Sequence, residues 1–324
     1  VSKFPKNLLK IVEPDLAAVE KELSLVIQSP VDLVNEIGLH LVKAGGKRLR
    51  PALYLLCAHS GPSERNELIP MAVALELIHM ATLVHDDVID NASLRRGKPT
   101  ANARWGNHSS VLTGDYLWAK AFSVVATTVD VRKLTILTHV ICSMCEGEII
   151  QLQESHNPDR TEDDYRLRVS QKTADFIAAC CTLGALSANL SNSEIAAFQE
   201  YGYSIGMAFQ ITDDILDFVA SSEQLGKPAG NDLRQGIVTL PIIFALRHSV
   251  DRDELRVLIK DENMSYDKVN RGLDIVLATG AIEYCYSEVQ RYLETAKSVL
   301  PPHIPAGVRE ALVAIADYIG FRQN

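Results

Sequence analysis

Residues 67–90 read ELIPMAVALELIHMATLVHDDVID. Apolar residues dominate the stretch, and the strong helix formers Ala, Leu, Met and Glu carry its length, so it predicts one long helix. It ends in three aspartates, Asp86, Asp87 and Asp90, ahead of the turn-forming Gly97-Lys98-Pro99. On a helix, residues four apart stack on one face, and the next residue lies about 100° round. Asp86 and Asp90 therefore share a side, with Asp87 beside them. Carboxylates at that spacing repel one another, and a cation is their natural partner.

The pattern returns in residues 209–218, FQITDDILDF, where Asp213, Asp214 and Asp217 have apolar neighbours. Oxygen-only ligands favour magnesium over zinc. Magnesium takes few carboxylates and completes its shell with water and phosphate, so two such clusters imply a phosphorylated ligand between them. A lone D-D-x-x-D is as readily an exposed acidic helix face; two copies, each in an apolar helix, are not. Asp163-Asp164, after Thr161, instead read as helix N-terminal acids in a capping-box pattern.

Outward from the two clusters, most of the chain predicts helix. Glu13-Pro14 opens one that runs to Ile27, and a second ends at Ala44 before Gly45-Gly46. Others fall near 110–127, 131–153, 162–188, 193–220 and 239–248, with shorter ones between 252 and 320. No stretch alternates like a strand. The richest loop is 225–232, LGKPAGND, and no low-complexity linker divides the chain. The expectation is an all-α fold in a single domain over residues 1–324.

Composition agrees: 47% of residues are apolar and only 6% aromatic, which favours helix on helix over a sandwich. The formal net charge of −9 argues against a nucleic-acid partner. Cys142 and Cys145 form a C-x-x-C in a helical segment with no second pair nearby, so they read, with the other four cysteines, as buried reduced thiols. The first residues open no signal-peptide run, and no uninterrupted apolar stretch of ~20 residues stands out. A soluble, cytoplasmic protein without membrane insertion is expected.

Cations accompany the aspartates. Lys47, Arg48 and Arg50 follow the diglycine, but without P-loop spacing. Arg95 and Arg96 follow the first cluster, Lys172 lies in QKTA, and Lys227 in the glycine-rich loop. His79, seven residues before Asp86, falls on roughly the same helix face. Each cation alone reads as a solvated surface charge; their shared placement at helix ends and loops predicts a diphosphate pocket.

The segments GGKRLRP, ELIHMATLVHDDVIDNASLRRGKPT, TGDYLWAKAF, QKTA, FQITDDILDF and GKPAGNDLRQGIVTLP together resemble the trans-prenyl diphosphate synthases, from Gly45 to Pro241. The resemblance implies a bundle of long antiparallel helices around a central cavity. It implies that Asp86, Asp87, Asp90, Asp213, Asp214 and Asp217 bridge magnesium, about three ions with substrate bound, to an allylic diphosphate. Arg95, Lys172 and Lys227 would hold that diphosphate. Lys47, Arg50, His79 and Arg96 would bind isopentenyl diphosphate, and Thr173 and Gln210 would line the path of the allylic cation.

Two departures from the family pattern stand out. Ile237 occupies a position where members often carry Lys. Ala81 and Thr82 stand where short-chain synthases often have an aromatic side chain. Small residues there leave the path open, with Leu75 and Ile78 as candidates for its floor, so a product of thirty to forty carbons is expected. The motifs are most similar to the catalytic component of bacterial heptaprenyl or hexaprenyl diphosphate synthases, whose product serves as a quinone side chain. A homodimer, or a heteromer with a small accessory subunit, follows from that likeness. Terpene cyclases share the first cluster but not the second, and regulatory subunits tend to lose metal ligands.

Overall fold

The computed structural model describes residues 9–63, 65–95, 97–126, 130–219 and 229–321. Helix α1 (Glu13–Val26) carries Pro14 in its first turn, where a missing N–H breaks no helical bond. Helix α2 (Asp32–Ala44) stops at Gly45, whose φ of +70° suits glycine. Then come α3 (Leu49–Ala58) and α4 (Arg65–Ile89), followed by a two-residue hairpin of β1 (Leu94–Arg95) and β2 (Lys98–Pro99). Helix α5 (Ala101–Val125) is capped by Thr100 and kinked at Gly106; α6 (Val131–Glu154) is capped by Asp130.

Thr161 opens α7 (Glu162–Val169) with the expected capping box. A π-helical turn (Ser170–Ala174) joins it to α8 (Asp175–Ser187), and α9 spans Asn192–Val219. The remainder is α10 (Asn231–Arg234), α11 (Leu240–His248), α12 (Arg252–Ile259), α13 (Tyr266–Leu277), α14 (Ala281–Val299) and α15 (Ala306–Phe321).

The architecture is all-α, as expected. Helix α4 packs mainly along α5, with α1 and α3 behind it, while α9 lies between α8 and α14 and α8 packs on α3. Leu75, Leu77 and Ile78 of α4 are at most 1% exposed. Burial of each such side chain contributes about 1.5–3 kcal/mol, which is why α4 sits inside the bundle. By length and composition, residues 67–89 could cross a membrane, but 67% of the most apolar window is buried against other helices. That is the signature of a core helix.

Four details depart from the sequence reading. Pro70 lies inside α4, where it removes one helical hydrogen bond, and packing of the helix against its neighbours carries it through. The stretch expected as one helix over 162–188 is broken by the π-turn. Among the described residues a short hairpin does occur, directly after the first aspartate cluster. Cys142 and Cys145 are exposed, unlike the other four cysteines, because they lie three apart on the outer face of α6.

The π-turn is held against α9 at van der Waals range. A Cβ on Gly206 would come within 2.5 Å of the Ala174 Cα, a backbone atom that cannot swing aside. Gly206→Ala is expected to destabilise the protein by about 1–3 kcal/mol, read as a lower Tm in thermal unfolding. An unchanged Tm would show that the π-turn and α9 can part freely.

Candidate active site

Both aspartate clusters fall at helix C-termini. Asp86 and Asp87 occupy the last turn of α4 and Asp90 follows it, while Asp213, Asp214 and Asp217 lie in the last two turns of α9. Neither helix has a basic residue in its last turn. The helix macrodipole is negative there, so the backbone opposes these charges.

The two helix ends meet at one cavity of about 160 Å³. Asp90 lines it from the first cluster and Asp214 from the second, with Lys172, Thr173 and Gln210 between them. Thr173 Oγ1 donates to Gln210 Oε1 at 3.0 Å, and Gln210 Nε2 donates to Asp214 Oδ1 at 2.9 Å. Tyr165 donates its hydroxyl to Asp214 Oδ2 at 2.6 Å. Lys172, on the π-turn, pairs with Glu148 of α6 at 2.5 Å. A π-turn adds one residue to a helical turn and redirects the side chains it carries, and such turns recur at functional sites.

Electrostatics record the crowding. Burial pushes Asp86 up to about 6; Lys172 and Arg95 pull it down, and Glu148 and Asp90 push it further up. Asp214 is likewise pushed up to about 6, by burial above all and by Asp213, against the hydrogen bonds from Tyr165 and Gln210 and the charge of Arg168. Burial also raises Asp87, and the Arg95 guanidinium, 2.8 Å away, opposes it. Among the described residues no three His, Cys, Asp or Glu side chains converge tightly enough to form a metal cage. Raised, only partly compensated carboxylates with hard oxygens still fit a divalent cation, provided phosphate oxygens complete its shell.

Asp217 has a different setting. It is 1% exposed, its Oδ2 accepts from the Asp232 amide at 3.0 Å, and its carbonyl accepts from Gly230 at 2.8 Å. It anchors the turn that leads into α10.

Of the expected isopentenyl diphosphate group, Arg50 Nη1 donates to His79 Nε2 at 3.1 Å. The Arg50 guanidinium also lies 5.0 Å from the Phe176 ring centroid. Lys47 is over the Tyr318 ring of α15 at 4.9 Å. None of the three lines the cavity between the clusters. Arg48, between Lys47 and Arg50, turns inward instead: its backbone is left-handed (φ +48°), and it pairs with Glu20 of α1 and, at 2.6 Å, with Glu76 of α4. Ala81 and Leu75 are fully buried on α4 and Ile78 is 1% exposed, whereas Thr82 is half-buried and donates to the His79 carbonyl. Arg96 and Lys227 lie outside the described residues.

Sequence reasoning passed over Tyr165, Arg168 and Glu148. The spacing Tyr165, Arg168, Lys172 was a usable signal, because residues at i, i+3 and i+7 share a helix face. The apolar sequence neighbours of Asp214 also suggest that nothing local offsets its charge. Tyr165, Gln210 and Arg168 do so from one turn away and from the neighbouring helix.

A carboxyl with a raised folded-state pKa keeps its proton in the folded chain where the unfolded chain has lost it. Its contribution is present below about pH 4 and is lost as pH rises to about 6. Asp214→Asn in chelator should therefore gain stability over the parent as pH rises through that window, by on the order of 2 kcal/mol at neutral pH. Thermal melts from pH 4.5 to 7.5 read it; a difference independent of pH would refute the assignment.

Comparison with known proteins places these motifs. The polyprenyl synthetase family matches residues 31–276. The chain is 42% identical over 317 residues to heptaprenyl diphosphate synthase component 2 of Geobacillus stearothermophilus, covering 98% of each. It is 35% identical to octaprenyl diphosphate synthase of Escherichia coli, covering 96% of this chain and 97% of that one. A polyprenyl synthase from Caulobacter crescentus, solved in complex with calcium and isoprenyl diphosphate, superposes with a TM-score of 0.93 at 35% identity, covering 100% and 99% of the two chains. The chain belongs to the polyprenyl synthetase family and is a prenyltransferase of the all-α isoprenoid synthase fold.

Proposed function

We propose that the protein condenses isopentenyl diphosphate with an allylic diphosphate, farnesyl or geranylgeranyl, to an all-trans polyprenyl diphosphate of thirty to forty carbons. The observation that carries this reading is the cavity lined together by Asp90, Asp214, Lys172, Thr173 and Gln210. Asp86, Asp87 and Asp90 on one side, and Asp213, Asp214 and Asp217 on the other, are the residues that would hold magnesium. Bound there, the metal supplies charge to the departing pyrophosphate, where negative charge develops.

The chain's own groups do the rest. Lys172 and Arg95 hold the diphosphate as its bond to the allylic carbon breaks, and Lys227 does so from the glycine-rich loop. The Thr173 hydroxyl and the Gln210 amide present oxygen dipoles to the carbon that gains positive charge. Lys47, Arg50, His79 and Arg96 hold isopentenyl diphosphate so that its double bond attacks that carbon; a proton then leaves to the released pyrophosphate. Apolar side chains around the reacting carbons exclude the water that would quench the cation.

Ala81 and Thr82 lie about a turn before Asp86, on the line a growing chain follows, with Leu75 and Ile78 deeper still. The small side chains at positions 81 and 82 favour a long product, in keeping with relatives named for heptaprenyl and octaprenyl diphosphates. The relative named component 2 also favours a second reading of assembly, in which a small accessory subunit completes the enzyme in place of a homodimer.

Farnesyl diphosphate, labelled isopentenyl diphosphate and magnesium should give a labelled polyprenyl product whose length chromatography reads. Product formation without any divalent cation would sink the mechanism; product only after addition of a small partner would select the heteromer. Asp86→Asn is expected to lower kcat by at least ~100-fold. Ala81→Phe is expected to shorten the product, and an unchanged length distribution would reject the proposed path.

A further inference from the structure

Arg168 is a buried cation that the reaction above leaves without a task. Its side chain is 6% exposed, yet it lines the cavity beside Lys172, Asp214 and Ile237. Among the described residues, Nη2 donates to the Val238 carbonyl at 2.7 Å and Nη1 lies 3.8 Å from Glu154 Oε2. The guanidinium also stands 5.7 Å from the Tyr165 ring centroid. A guanidinium carries five N–H donors, so these contacts use a minority of them. A neutral carbonyl, a long ion pair and the nearby charge of Asp214 leave most of these donors without a hydrogen bond among the described residues.

The Val238 carbonyl fixes where that charge sits. It belongs to the residue after Ile237, so the guanidinium stands at the edge of the cavity where the chain carries an aliphatic side chain. Ile237 offers no charge to a ligand there. A planar fork of N–H donors suits phosphate oxygens better than a point charge does. We propose that Arg168 binds the diphosphate in this cavity, supplying at the Ile237 edge the positive charge that residue 237 does not provide. The proposal rests on the reading of the cavity as the allylic diphosphate site.

The competing role is structural, with Arg168 only tethering Val238. Arg168→Gln keeps a donor for that carbonyl and removes the charge. Isothermal titration of pyrophosphate in the presence of magnesium should show about tenfold weaker binding to R168Q, and the KM for farnesyl diphosphate should rise by about as much. The KM for isopentenyl diphosphate should stay within about twofold, because its expected ligands lie elsewhere. The double variant R168Q/I237K should recover most of the lost pyrophosphate affinity, since it returns a charge to the same edge. A purely structural Arg168 would not be rescued in that way.

Unchanged pyrophosphate affinity in R168Q, an equal rise in both KM values, or no rescue by Lys at 237 would each overturn the proposal. Absence of any prenyl product from the parent enzyme would instead sink the functional reading, while the pyrophosphate titration still judges Arg168. Should R168Q not fold, I237K in the parent decides. With Arg168 already in place, it should change pyrophosphate affinity by less than about twofold. A tenfold gain would show that the edge lacks charge and would overturn the proposal.

Discussion

Two long helices end at one cavity with carboxylates in their final turns, where the backbone dipole already runs negative. That arrangement is unfavourable for the folded chain alone, and much of the surrounding structure offsets it. Arg95 pairs with Asp87, Tyr165 and Gln210 donate to Asp214, and the Asp232 amide donates to Asp217. Lys172 is brought in by the π-turn and shared with Glu148. These partners are mostly neutral donors or half-committed cations. They hold the carboxylates in position without fully neutralising them, which leaves attraction to spare for a cation and a polyphosphate.

The cations of the diglycine segment are organised by different means. Arg48 takes a left-handed backbone conformation and turns into the bundle, tying the segment to α1 through Glu20 and to α4 through Glu76. Lys47 lies over Tyr318 of α15, and Arg50 meets His79 on the same α4 helix. The ion cluster ties to the bundle the segment that carries both cations. Glu76 stands one helical turn before His79, so the same helix carries the anchor and the histidine it helps to place.

Much of this was legible in the residues. Helix type and the paired aspartate clusters follow from spacing and from motifs with a chemical reason, whereas Thr173 and Gln210 came only through the family resemblance. The π-turn was not legible, because Ser170–Ala174 has no composition that sets it apart from α-helix; it arises where close packing on α9 and the redirected Lys172 demand it. The exposure of Cys142 and Cys145 was missed because thiols are usually buried, while helical phase alone decides which face they take. Pro70 would ordinarily end a helix, yet tertiary packing of α4 carries it through. Arg48 and Arg50 looked alike as letters; the left-handed backbone at Arg48 and its pairing with Glu20 and Glu76 mark it as an anchor.

His85 fits against Gly114 of α5, where an added Cβ would stand 2.2 Å from its ring, and its ring meets the edge of Trp118. The glycine sets how closely α4 and α5 can approach, one turn from Ala81. A side chain at position 114 would push α4 and α5 apart and shift the helix end that carries Asp86 and Asp87.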